Sequence, residues 1–334
     1  MKFIDNQGIT DPRVNLAIEE FVLKHLPLEE DSYLLFYINE PSIIIGKNQN
    51  TIEEINSDYV KANHIHVVRR LSGGGAVYHD TGNLNFSFIT KDDGQSFHNF
   101  RKFTQPVIDT LRSLGVNADL TGRNDIQVGE QKISGNAQFS TRGRMFSHGT
   151  LLFNSEMEHV ASALNVKAIK IESKGTKSIR SRVANISDFL DEPMTIERFK
   201  DAILHHIFGM EPDQVPQYKL TEQDWETIHH ISRERYQSWD WNYGASPKFN
   251  VEHSKKFPAG IVDVRMDVED GWIQCMKIYG DFFGGGEVND IELRLQGVRY
   301  EEQAIHEALA DMDINHYLGN ISAEDFIGLV MLNE

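Results

Sequence analysis

Arg69-Arg70-Leu71-Ser72-Gly73-Gly74-Gly75-Ala76-Val77-Tyr78-His79-Asp80 runs two guanidinium groups into three consecutive glycines. A guanidinium is a planar fork of donors that matches phosphate and carboxylate. Glycine lets backbone N–H groups turn toward a ligand with no Cβ in the way. The stretch therefore reads as a loop that holds an anion. Apolar runs of strand length precede it at Tyr33–Ile38, Ser42–Ile45 and Ile65–Val68. After it, Asn83–Ile89 alternates Leu84, Phe86 and Phe88 with Asn83, Asn85 and Ser87, the pattern of a half-buried strand. The glycines thus join strand to strand. No Gly-x-x-x-x-Gly-Lys-Ser/Thr occurs, and no Gly-x-Gly-x-x-Gly opens a helix, so any nucleotide here is held by an unrelated cradle.

Working outward, residues 12–26 place Val14, Ala17, Ile18, Phe21 and Val22 on one helical face behind Pro12. Residues 99–114 do the same with Phe100, Phe103, Val107, Ile108, Leu111 and Leu114. Strands are predicted at Asp125–Val128, Lys132–Ser134, Gln138–Phe139 and Met145–Phe153, and helices at 156–164, 195–208 and 221–238, the last opened by the capping box Thr221-Glu222-Gln223-Asp224. Trp241-Asn242-Tyr243-Gly244-Ala245-Ser246-Pro247 reads as a domain boundary. Beyond it come strands at Gly260–Met266 and Trp272–Tyr279 and helices at 300–311 and 322–332. This is a large α/β domain of the α+β type, with mixed and antiparallel sheets (1–245), followed by a small α+β domain (250–334).

Composition narrows the class. With 40% hydrophobic and 25% charged residues, the chain has the balance of a globular protein. Cys275 is the single cysteine, so there is no internal disulfide and no Cys-rich zinc site, and the expected compartment is the cytoplasm. A net charge of −17 argues against nucleic-acid binding, and no apolar run is long enough for a membrane span. Residues 121–182 depart from the general balance, with ten Lys/Arg against five Asp/Glu. That basic segment could complement an acidic partner, with Arg142 and Arg144 on the docking face.

Taken singly, each further piece has a bland reading. Lys132, between Gly129 and Gly135, is either an exposed strand lysine or a cation fixed over carboxylate and phosphate. Asp125 is either a turn residue or a Mg²⁺ ligand, and the basic stretch 170–185 either a solvated loop or a cover for an anion. A second triple glycine, Gly284-Gly285-Gly286, has acidic neighbours and reads as a plain turn.

The ordered combination is specific. Arg69-Arg70-x-Ser72-Gly73-Gly74-Gly75-Ala76-Val77-Tyr78-His79-Asp80, Gly122-Arg123-Asn124-Asp125, Gln131-Lys132-Ile133-Ser134-Gly135-Asn136-Ala137, His148-Gly149-Thr150-Leu151-Leu152 and Lys174-Gly175-Thr176-Lys177-Ser178-Ile179-Arg180-Ser181-Arg182-Val183 together resemble the lipoate–protein ligases of the A type. The likeness covers residues 1–245, and the tail resembles that family's accessory domain. It implies the fold of the biotin/lipoate ligase superfamily and a two-step reaction. Free lipoate and ATP give lipoyl-AMP and pyrophosphate. The lipoyl group then passes to a lysine of an apo lipoyl domain, on the E2 subunits of 2-oxoacid dehydrogenases or on glycine-cleavage H protein. By the same resemblance Lys132 is the catalytic residue. Arg70, Ser72, Gly74, Gly75, Ala76, Val77, Tyr78, Lys132, His148, Lys174 and Arg180 bind ATP or lipoyl-adenylate, and Asp125 is the candidate for Mg²⁺. The protein is expected to be a cytoplasmic monomer with no nucleic-acid or membrane partner. The alternatives are a lipoyl or octanoyl transferase, whose cysteine thioester would have to fall to Cys275 in the tail, and a non-catalytic adenylate binder. The Gly-Arg-Gly-Arg-x-Gly pattern of biotin–protein ligases is absent.

Overall fold

A computed structural model describes residues 1–164, 183–243 and 250–331, without the side chains of Ile52, Glu53 and Ala161. The chain divides into two compact units. The first contains Met1–Ile44, Ile52–Arg69 and Val77–Asn242; the second contains Ile45–Thr51, Arg70–Ala76 and the chain from Tyr243 onward.

In the first unit, strands β1 (Lys2–Asp5), β2 (Tyr33–Ile38), β6 (Asn83–Lys91), β10 (Arg144–Leu152), β9 (Gln131–Thr141), β8 (Asp125–Val128) and β7 (Ala118–Thr121) lie side by side in that order. β1 runs parallel to β2, and every other neighbouring pair is antiparallel. A smaller sheet has the order β4 (His66–Arg69), β3 (Ser42–Ile45), β5 (Val77–His79). Helix α1 (Pro12–His25) begins where Asp11 accepts the N–H of Arg13, and its predicted apolar stripe is buried. After the short helices α2 (Thr51–Glu54) and α3 (Ser57–Ala62) comes α4 (Phe100–Ser113). α5 (Met157–Ala163) and α6 (Ile196–Phe208) follow β10. Phe103, Val107, Ile108 and Leu111 of α4 and Phe199 and Ile203 of α6 share one core with Phe86, Phe88, Ile126, Ile133, Met145 and Leu151 of the sheet. α7 (Glu222–Ile231) has the predicted capping box. The helix expected to run on to 238 instead loosens into a π turn at Ser232–Tyr236, from which the Tyr236 hydroxyl donates to buried Glu20 at 2.8 Å. The short helix α8 (Trp239–Asn242) closes the unit.

The strands predicted at Lys132–Ser134 and Gln138–Phe139 are one continuous strand, β9, because the glycine between them stays in the ladder. β1 and β7 are too short to show a period. β11 (Val251–Phe257), in the second unit, escaped the pattern because it is a polar edge strand paired only with β12 (Gly260–Glu269). β12 pairs in turn with β13 (Trp272–Gly280), and α9 (Val288–Leu295), α10 (Glu302–Leu309), α11 (Ile314–Leu318) and α12 (Ala323–Met331) complete that unit's core.

The second triple glycine is more than a turn. A Cβ on Gly284 would stand 1.7 Å from the carbonyl oxygen of Tyr317 in α11, and one on Gly286 would stand 2.4 Å from the Tyr317 ring. Bare backbone is what lets α11 approach. We predict that Gly284→Ala destabilises the second unit by about 1–3 kcal/mol, the usual cost of overpacking. Urea unfolding followed through Trp272 will read this as a lower midpoint.

Candidate active site

The position of Lys132 is decided by one extra residue. Along the β8–β9 hairpin Asp125 faces Gly135, Ile126 faces Ser134, and Gln127 faces Lys132, so Ile133 is a bulge with no partner. Residues three apart on a regular strand point to opposite faces. The bulge cancels that alternation and puts Lys132 on the same face as Gly135 and Asp125, while Ile126, Ile133 and Ser134 turn into the core. The Lys132 ammonium then lies across Gly135. A Cβ there would be 2.9 Å from Nζ and 3.1 Å from Cε. Nζ meets Asp125 Oδ1 at 2.8 Å, with the two side chains 33% and 25% exposed, so the charge is half-desolvated yet reachable.

Two of the sequence motifs are stapled together beside it. Asn124 Nδ2 donates to the Asn136 carbonyl, and Asn136 Nδ2 donates back to the Asn124 carbonyl at 3.0 Å. Gly135 N donates to Thr150 Oγ1 at 3.2 Å. Gly-Arg-Asn-Asp and Gly-Asn thus hold the strands that carry Asp125 and Lys132.

His148 faces Ala137, hence the face that carries Gly135 and Lys132. It is buried, with Nδ1 2.9 Å from Glu19 Oε1 of α1. Glu19 was not singled out in the sequence. It lies off the predicted apolar stripe of α1 and is buried because the helix is covered on nearly every side, so the helical period carried no signal for it. Tyr78 is also buried, its ring stacked on His159 with centroids 6.3 Å apart. Burial, helped by the Asp80 carboxylate, pushes the Tyr78 phenol well above its ordinary value, so it stays protonated at neutral pH.

The second unit holds the glycine loop itself. Arg70 is buried, and its guanidinium wraps the loop from within. Nε donates to Ser72 Oγ at 2.9 Å, and Nη2 donates to the carbonyls of Gly73 at 2.6 Å and Gly75 at 2.9 Å. Gly74 has φ +91° and lies against the Phe283 ring, 2.8 Å from where its Cβ would be, and a Gly73 Cβ would fall 2.3 Å from the Phe282 carbonyl oxygen. The two residues that support the first triple glycine therefore directly precede the second.

The paired arginines divide their work. Arg69 belongs to the first unit, where Nε donates to the Trp241 carbonyl at 2.9 Å and the Arg69 N–H donates to Asn242 Oδ1 at 2.9 Å. Arg144 is likewise engaged in structure, donating to the carbonyls of Leu23 and Leu26 at the C-terminal end of α1. Of the predicted site residues, the first unit carries Val77, Tyr78, Asp125, Lys132 and His148, and the second carries Arg70, Ser72, Gly74, Gly75 and Ala76. Lys174 and Arg180 lie outside the described residues.

Comparison with known proteins gives the family. Residues 11–208 match the lipoyl protein ligase A/B catalytic domain, and residues 246–330 match the bacterial lipoate protein ligase C-terminus. The chain belongs to the lipoate–protein ligase family, in its two-domain form, and is an enzyme of protein lipoylation. It is 65% identical over 331 residues to lipoate-protein ligase LplJ of Bacillus subtilis (strain 168), across 99% of this chain and 100% of that protein. Among solved structures it resembles the bi-partite lipoate protein ligase of Thermoplasma acidophilum, studied with its E2 lipoyl domain (TM-score 0.64, 32% identity, 75% of this chain and 98% of that one). It also resembles a lipoate-protein ligase A bound with ATP (TM-score 0.61, 29% identity, 70% and 94%).

Gly135→Ala tests the packing of Lys132. The atom in the way is the end of a flexible side chain, so we expect the fold to hold and the ammonium to move. A displacement of ~1 Å at a reacting group can cost about 10²-fold in rate. Steady-state turnover should fall by that order while the melting temperature stays close to wild type.

Proposed function

We propose that this enzyme activates free lipoate with ATP and then lipoylates a lysine of an apo lipoyl domain, of the E2 or glycine-cleavage H protein kind. The observation that carries the reading is the Lys132 ammonium, aimed by a bulge and given room by Gly135 on the open side of the hairpin. In the first step a carboxylate oxygen attacks the α-phosphorus, the bond to pyrophosphate breaks, and a mixed anhydride remains. Both reactants are anions. A fixed cation between them offsets their repulsion and stabilises charge that develops in transfer. In the second step the acceptor amine attacks the anhydride carbonyl and AMP leaves. The anhydride is already activated, so orientation and exclusion of water suffice, and no protein nucleophile is needed.

Within this reading Lys132 contacts both the lipoate carboxylate and the α-phosphate. Arg70 and Ser72 keep the loop in shape, so that Gly74, Gly75, Ala76, Val77 and Tyr78 meet the nucleotide through backbone rather than side chains. His148 borders the lipoyl group. A bound ligase relative supports ATP as the co-substrate, and the archaeal ligase studied with its E2 lipoyl domain supports the acceptor class. Cys275 lies in the middle of β13, opposite Asp267, which gives little support to a thioester route. Among the described residues no helix is long and apolar enough to cross a membrane.

Mg²⁺ would enter with ATP and lower the charge on the phosphates. The residues do not fit a metal held by the protein. Asp125 offers one carboxylate, already in an ion pair with Lys132, and among the described residues no group of three metal-ligating side chains occurs.

Intact mass of an apo lipoyl domain, incubated with the enzyme, lipoate and Mg-ATP, will show a lipoyl adduct that is absent when ATP is omitted. If no adduct forms and no lipoyl-adenylate is made, the reading is wrong. Lys132→Ala should lose about 10²–10³ in lipoate-dependent pyrophosphate release, as for removal of one preorganised charge donor. Its circular dichroism should match wild type.

A further inference from the structure

We infer that Asp125 is a positioning residue, the resting counter-ion of Lys132, and not a ligand of Mg²⁺. This rests on the proposed role of Lys132 in adenylation. Three features put the carboxylate there. Asp125 opens β8 directly opposite Gly135, and Gly135 leaves the space that the lysine crosses. The bulge at Ile133 brings Lys132 onto that face, and Nζ meets Oδ1 at 2.8 Å. Asn124, the preceding residue, is bonded at both its side chain and its carbonyl to Asn136, the residue after Gly135. The carboxylate is therefore tied to the strand that carries its lysine, at the height where the ammonium arrives.

A half-buried ammonium without a partner would bind any anion, whether ATP, adenylate or pyrophosphate. Such uniform binding tightens the ground state and does not speed the chemistry. With Asp125 alongside, an incoming phosphate must compete for Lys132 with a fixed negative charge 2.8 Å away. The lysine moves fully onto the reacting oxygens only as charge accumulates on them, and it returns to Asp125 when pyrophosphate leaves. A carboxylate engaged in this exchange faces a cation at the start of each turnover, a position unsuited to holding a second, divalent one.

The two roles predict opposite signs for Asp125→Asn, which keeps the shape and removes the charge. As a counter-ion, its loss should tighten binding of a non-hydrolysable ATP analogue several-fold in the absence of Mg²⁺, measured by calorimetry. It should also lower kcat about tenfold, lower or leave unchanged the KM for ATP, and leave the half-saturating Mg²⁺ concentration where it is. As a metal ligand, its loss would weaken analogue binding only when Mg²⁺ is present and raise both the KM for ATP and the Mg²⁺ requirement, and that result would overturn the inference. A purely structural role would lower the melting temperature without moving the analogue affinity, and would overturn it equally. In a Lys132→Gln background Asp125→Asn should not change analogue binding further, because its action runs through the lysine. If Asp125→Asn does not fold, Asp125→Glu is read by the same Mg²⁺ titration. Wild-type pyrophosphate release, run alongside, tests the adenylation reading separately. Its absence would remove that reading, while the calorimetry would still decide between lysine and metal.

Discussion

A single unpaired residue, Ile133, decides which side of the sheet Lys132 occupies. Its side chain belongs in the core and goes there, and the ladder accommodates it by slipping one place. Without the slip, Lys132 and Gly135 would point to opposite faces and Asp125 would have no cation to meet. The rest of the hairpin follows from this. Gly135 must be bare because the lysine crosses it, and Thr150 must be able to accept from its N–H because the bulged strand still needs anchoring. Asn124 and Asn136 must hold each other because the site sits at the end of a short strand.

The glycine loop solves a different problem by related means. An anion-binding backbone has to be rigid before the anion arrives, yet glycine is the least rigid residue. Arg70 supplies order from inside, with three hydrogen bonds to its own loop, and the Phe282–Phe283 backbone and ring supply it from outside. Charge and order thus come from the same side chain. A substitution of Arg70 would be hard to interpret as loss of charge alone.

Much of this was legible in the sequence, and the exceptions have physical reasons. The buried stripes of α1 and α4 fall where their period placed them. β6 is a strand as its alternation predicted, but it is buried on both faces and not half-buried, because Asn83, Asn85 and Ser87 are covered as fully as Leu84, Phe86 and Phe88. The ordered motifs pointed to the family. The continuity of β9 was not legible, because a glycine in a strand reads as a break until the side chain that crosses it is known. Nor was the division of work between Arg69 and Arg70. Adjacent residues of one type look alike, yet one ends β4 and the other begins the loop. Arg144 looked like surface charge, but its Nη1 donates to two carbonyls at the end of α1, a contact between residues more than a hundred apart. The Glu19–His148 pair is hidden in the same way, since neither residue's neighbourhood mentions the other.

The second unit is assembled from three stretches, Ile45–Thr51, Arg70–Ala76 and the chain beyond Tyr243, and only the last is continuous with the C-terminus. A linear reading draws one boundary near residue 245, whereas the compact unit beyond it also takes in Ile45–Thr51 and Arg70–Ala76. Local opening of the C-terminal strands and helices would release the Phe282–Phe283 support and, with it, the anion loop encoded some two hundred residues earlier. The loop's order is a property of a tail that carries none of the predicted site residues. In hydrogen exchange Arg70–Ala76 should therefore belong to the same foldon as the distant C-terminal segment, not to that of the strands beside it in sequence.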